Sequence, residues 1–130
     1  VTRELQDDLA RRFQSLSLSK GEWTHAAHLL VGAWHVERLG IDEAAGKMRE
    51  GIRKLNSSFG GVNSETEGYH ETLTIFWLRV IARALKEGTG LADIAALPSG
   101  LWREYYSRDL PSCRVARREW VEPDLKPINP

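Results

Sequence analysis

A chain of 130 residues has room for one domain and one core, and its 42% hydrophobic content is ordinary for a globular protein. Eighteen Lys and Arg cancel 18 Asp and Glu, which argues against a nucleic-acid binder relying on bulk charge and against an acidic, disordered chain. The lone Cys113 excludes an internal disulfide and any zinc site built on several thiolates of one chain.

Apolar periodicity divides the chain into four long predicted helices, with no strand-like alternation of any length. The first runs from about Thr2 to Gln14, with Leu5, Leu9 and Phe13 spaced four apart, and a Ser-rich turn from Ser15 to Ser19 follows. The second runs from about Gly21 to Leu39 and stops at Gly40, a natural left-handed C-cap. Between His25 and Val36 every residue of this helix is apolar, small or histidine, so it is expected to be central, with Gly32 admitting a close neighbour. The third runs from about Asp42 to Phe59, with Ala45, Met48, Ile52, Leu55 and Phe59 as its apolar stripe, and Gly60-Gly61 ends it. The fourth runs from about Glu65 to Lys86. On it His70, Leu73, Thr74, Trp77, Ile81 and Leu85 share one face, with Thr72, Arg79 and Arg83 opposite. A short helix near Leu91 to Leu97, weak helical signals at Leu101–Tyr106 and Cys113–Trp120, and a Pro-bearing extended tail complete the chain. The prediction is an all-α single domain: a four-helix up-down bundle over residues 1–88, with a helical C-terminal extension over 89–130 packed on it. No apolar run approaches the roughly 18 residues of a membrane span and no signal-peptide pattern opens the chain, so a cytoplasmic protein without membrane contact is expected.

One pattern occurs twice. Ser19-Lys20-Gly21-Glu22-Trp23-Thr24-His25 and Ser64-Glu65-Thr66-Glu67-Gly68-Tyr69-His70 both read S-x-x-E-x-x-H. Its first half is a capping box, in which Ser accepts from the third helical N–H and Glu from the Ser N–H, although Thr24 competes with Ser19 as N-cap. Capping leaves the histidines unexplained. In an up-down bundle the second and fourth helices are parallel, so His25 and His70, each six residues past a proposed cap, stand at one height. His28 lies one turn deeper on the His25 face, whereas His35 is about 15 Å further along the axis. Three imidazoles kept neutral by helix N-termini can hold a zinc, iron or nickel ion with a position open for water. Glu71 would then orient a ligand or activate water, and Tyr69 would donate a hydrogen bond, as the catalytic pair. The same residues also suit buried histidines bonded to carbonyls or hydroxyls. The further inward carboxylates of a di-iron bundle are missing.

In the extension, Arg108, Arg114 and Arg117 are candidates for holding an anionic group of a substrate; ion pairs with Glu104, Asp109 and Glu119 are the alternative. Ser112 reads as the N-cap of the last helix, where the adjacent Cys113 would be acidified yet has no catalytic partner. Trp34 and Trp77 are expected in the core, while Trp23, Trp102 and Trp120 would pin the turn and extension to the bundle. Charge is locally uneven too: Val62 to Thr72 carries Glu65, Glu67 and Glu71 and no Lys or Arg, and Pro111 to Arg118 carries Arg114, Arg117 and Arg118 and no acid. These patches meet if the extension folds over the histidine end.

The segments Trp23-Thr24-His25-Ala26-Ala27-His28-Leu29 and Gly68-Tyr69-His70-Glu71-Thr72-Leu73-Thr74 resemble a family of small bacterial helical proteins. That family carries an aromatic-Thr/Asn-His-x-x-His-Leu segment followed by Tyr-His-Glu-Thr. The resemblance spans about Trp23 to Trp77 and implies that His25, His28, Tyr69, His70 and Glu71 act as one unit; it brings no activity with it. The layout is also similar to that of DinB-like proteins, which set three histidines around a metal at one end of four helices. Their close histidine pair is four apart on a late helix, whereas here it is three apart on the second. The leading expectation is a histidine-based site for a small polar molecule, with or without a divalent ion. The competing one is a non-catalytic ligand-binding or protein-interaction module with structural histidines, its extension docking a partner or a second copy as a homodimer.

Overall fold

Thr2 opens the first helix by accepting the Leu5 N–H at 3.1 Å, and α1 runs Arg3–Gln14. The computed structural model describes residues 1–130. It continues with α2 (His25–Leu39), α3 (Ile41–Ser58), α4 (Glu71–Lys86), α5 (Leu91–Ala95) and α6 (Arg114–Arg118), with 3₁₀ turns at Leu101–Glu104 and Leu110–Ser112. All the regular structure is helical, and four of the helices are long. No helix is long and apolar enough to cross a membrane.

The apolar character of α2 is met by cover on several sides. It packs against α1, α3, α4 and α5, and Ala27, Leu29 through Ala33 and His35 are buried. Gly32 permits the α4 approach: a Cβ there would stand 3.0 Å from Ile81 Cδ1 and 3.4 Å from Leu78 Cδ2. On α3 the predicted stripe holds, with Ala45, Met48, Ile52 and Leu55 buried together with Ala44, and Phe59 half-buried. The α1 periodicity holds less evenly, since Phe13 is buried while Leu5 is 44% exposed.

Helix α4 has two buried sides rather than one. Leu78 faces the core formed with α1, α2 and α3, and Ile81 joins Leu29, Ala33 and Ile94. On the other side, Phe76 gathers Trp102, Tyr106, Leu110, Ala116 and Ile128 from the extension. Full burial of Phe76 contributes about 2–3 kcal/mol to that attachment. Thr72, expected on the outer face, is therefore fully buried: its hydroxyl donates to Glu119 O at 2.7 Å and accepts the Val121 N–H at 3.1 Å. The extension is a second layer on α4, and periodicity within α4 carries no record of it.

Three helix starts differ from prediction. The Ser19–Glu22 box forms reciprocally, with Glu22 N–H on Ser19 Oγ at 3.2 Å and Ser19 N–H on Glu22 Oε1 at 2.9 Å, but it closes only a turn. Thr24, extended at φ −81° and ψ 170°, interrupts the path and caps α2 by accepting the Ala27 N–H at 3.2 Å. The fourth helix starts at Glu71 rather than Glu65 because Gly68 adopts φ +84°, where a Cβ would collide with Val62 O. Ser112 is likewise not a cap; α6 begins after Cys113 without a side-chain cap, and Ser112 donates to Asp109 O instead.

Candidate functional site

The starts of α2 and α4 open into one cavity of about 690 Å³, within the range of small-molecule sites. His25, His28 and His70 all line it, His25 as the first residue of α2 and His70 as the N-cap of α4. Leu29 and Gly32 from α2, Met48 and Ile52 from α3, and Leu78 and Ile81 from α4 supply its apolar inner wall. Trp23, Trp77 and Trp102 add three indoles. Lys20 and Glu67 are its only charged lining residues, and both are exposed.

Each histidine is bonded to a backbone carbonyl, which can only accept, so the bonded ring nitrogen must carry the hydrogen. His25 Nε2 donates to Leu97 O at 2.9 Å, and its ring meets Trp77 edge-on at 4.9 Å between centroids. His28 Nδ1 donates to Thr24 O at 2.8 Å, and its ring lies 3.7 Å from that of Trp23. Neutral His25 and His28 thus keep Nδ1 and Nε2, respectively, as free acceptors. These nitrogens are also reachable, because Trp23 Nε1 and Arg117 Nε are the only partnerless side-chain polar atoms sealed inside the protein. Burial pulls His28 down to about 4, outweighing the Thr24 carbonyl that opposes it.

His70 is a different object. It is the N-cap of α4: Nδ1 accepts the Leu73 N–H at 3.1 Å, while Nε2 donates to Leu110 O at 2.7 Å. Both ring nitrogens are spent within the chain, which requires the neutral ring. Burial holds its pKa below the usual imidazole value despite the Leu110 carbonyl, and the nearby Arg117 charge acts the same way. The structure therefore does not place the expected triad around a metal. No group of three or more His, Cys, Asp or Glu side chains is placed to hold a metal ion, and His70 has no lone pair left to offer.

The expected catalytic pair is also differently employed. Glu71 receives Arg49 Nε at 2.8 Å and Nη2 at 2.7 Å, a bidentate clamp, and Tyr69 Oη donates to its Oε1 at 2.6 Å. Burial alone would raise the Glu71 carboxyl, but Arg49 and Tyr69 outweigh it and hold the group low. Burial and the neighbouring carboxylate push the Tyr69 phenol up. Tyr69 lines the cavity, whereas Glu71 does not. Within the chain, the phenol and carboxylate are a neutralised structural triad with Arg49, rather than a free acid and base.

None of Arg108, Arg114 and Arg117, the expected holders of an anionic substrate group, lines the cavity. Arg117 donates to Gly68 O at 2.8 Å and Pro111 O at 2.7 Å, tying the extension to the loop before α4. Arg108 reaches Cys113 Sγ at 3.8 Å, and Arg114 is exposed. The Cys113 thiol is lowered, first by the Ala116 N–H and then by Arg108. The acidic and basic patches do meet, but through Arg118 and Glu65 at 3.2 Å.

Several contributors had no reading as site residues in sequence. Trp77 and Thr74 lie on the α4 face predicted to point inward, and that periodicity identified the wall without revealing the space beside it. Trp102 is both a cavity wall and a core residue of the extension. Asn63 shapes the rim: its Oδ1 accepts the Tyr69 N–H at 3.0 Å while its Nδ2 donates to Arg53 O at 3.0 Å. Trp34, by contrast, is half-buried, donates to Asp7 at 3.1 Å and lies under Arg38. The chain matches no family model, no curated protein and no solved structure.

Proposed function

We propose that this protein binds a small molecule in the cavity between the starts of α2 and α4, with His25 and His28 as its polar anchors. The observation that carries the reading is one space of about 690 Å³ walled by apolar and indole side chains, with two accessible imidazole nitrogens on its lining residues. The lining shifts the expectation from a small polar molecule toward one with an apolar body and a polar end. Binding rather than turnover fits the surrounding groups. Glu71 is neutralised by Arg49, Tyr69 is engaged by Glu71, and His70 serves as a cap.

The test is titration of isotope-labelled protein with benzene, cyclohexanol and phenol, followed by amide chemical shifts. Expected are saturable changes confined to the cavity walls, weakened several-fold by Gly32→Ala, whose methyl narrows the inner wall. Absence of binding by every probe would end this reading. A metal-dependent version would require His70 to release the Leu73 N–H from Nδ1, while Nε2–H could stay on Leu110 O. Stoichiometric zinc binding by untagged protein, lost in His70→Ala, would favour that version instead.

A further inference from the structure

Resting on the binding reading above, the geometry points to a narrower ligand class: an uncharged, ring-bearing molecule that presents an N–H or O–H donor to His25 Nδ1 or His28 Nε2. Three independent features of the cavity select it.

The first is polarity of the anchors. Because Leu97 O and Thr24 O fix the ring hydrogens on His25 Nε2 and His28 Nδ1, the remaining nitrogens of the neutral rings can only accept. An acceptor-only ligand would leave both lone pairs unmatched and lose its own water in exchange, a penalty that a donor avoids. The second is charge. The wall has no ion pair and no unpaired charge inside; Lys20 and Glu67 stand at exposed positions, and His70 cannot gain a proton on Nδ1 without giving up the Leu73 cap. A charged group carried inward would therefore be desolvated without a partner. The third is shape. Trp23, Trp77 and Trp102 offer indole surfaces, with His28 packed on Trp23 and His25 edge-on to Trp77, so a ring meets aromatic partners on the same residues that carry the acceptors or adjoin them. The selectivity follows from complementarity: two imidazole anchors that can only accept discriminate most strongly against a ligand that lacks the donor.

A matched probe set separates these features by calorimetry at pH 7.5. Indole carries the donor, 1-methylindole lacks it, and tryptamine and indole-3-acetate add a positive or a negative charge. Indole is expected to bind at least tenfold more tightly than 1-methylindole and at least tenfold more tightly than either charged probe. In the double variant His25→Phe/His28→Phe the indole preference should collapse toward unity while 1-methylindole still binds, which shows that the cavity itself survives. Should that variant not fold, the ring-nitrogen shifts of His25 and His28 in the unmodified protein serve instead, and they must move with indole but not with 1-methylindole. Equal affinity for indole and 1-methylindole, or tighter binding of a charged probe, overturns this inference while leaving the cavity as a binding site. Failure of every probe, including benzene and phenol, overturns both.

Discussion

The two copies of S-x-x-E-x-x-H end in histidines with different employment. In the first, the residue before the histidine is Thr24, whose hydroxyl caps α2 and leaves His25 free to line the cavity with a spare acceptor nitrogen. In the second, the equivalent residue is Tyr69, whose phenol is too long to reach back and is bonded to Glu71. The cap then falls to His70, which accepts the Leu73 N–H itself. The residue before each histidine thus separates an imidazole that keeps one open nitrogen from one that keeps none. Spacing alone does not assign a histidine its work; the neighbouring capping residue does.

The largest expected effect concerns acid. His28 has its folded pKa lowered to about 4 by burial, against about 6.5 in an unfolded chain, so the unfolded state binds more protons between those values. Its contribution is complete above pH 6.5 and is lost as pH falls through 4, about 3 kcal/mol in all. Burial of His70 acts with the same sign. Urea melts from pH 7.5 to 4 should show this decline, and His28→Gln should flatten it. An unchanged slope in that variant would remove His28 from the account.

Next in size is His70→Ala, which deletes a helix cap and strands Leu110 O. About 2–3 kcal/mol should be lost, read from the urea midpoint at pH 7.5. His70→Asn supplies a capping oxygen in place of Nδ1 and should restore about 1 kcal/mol of it. If Asn restores nothing, the Leu110 contact rather than the cap is the main role of His70. Smaller again is Thr24→Ala, expected to cost about 1 kcal/mol by loss of the Ala27 contact at the first copy. Smallest is the Ser pair. Ser19→Ala breaks a reciprocal box, whereas Ser64→Ala breaks a one-sided turn in which Glu67 N–H and Thr66 N–H share Ser64 Oγ. Both are exposed, so losses of a few tenths of a kcal/mol are expected, with Ser19→Ala the larger. A reversed order would mean that the Ser64 turn, not the Ser19 box, is what orders its histidine.

Much of the fold was legible because its signals are local. The α3 stripe, the central α2, the Gly32 approach and the short Leu91 helix all follow from residues within a turn or two of one another. The site was legible only in its outline. His25, His28 and His70 line one cavity and the extension adds to its wall, but the distant hydrogen-bond partners were not readable. Leu97 lies 72 residues from His25, Leu110 lies 40 from His70, and Arg49 lies 22 before Glu71. Arg49 sits within an ordinary charged helix face, and nothing in its surroundings singles it out as the clamp on a carboxylate.

By itself the sequence determined four amphipathic or apolar helices, their order, and two histidine-bearing starts at one end, since each rests on i to i+4 periodicity or a glycine that breaks it. Only the tertiary structure decided what those histidines do. An imidazole has two nitrogens, and its role depends on which of them another part of the chain has already taken. Leu97 O and Thr24 O take one nitrogen each from His25 and His28, whereas Leu73 N–H and Leu110 O take both from His70. That division leaves His25 and His28 with one unbonded nitrogen each and His70 with none, where the sequence alone presented three equivalent imidazoles.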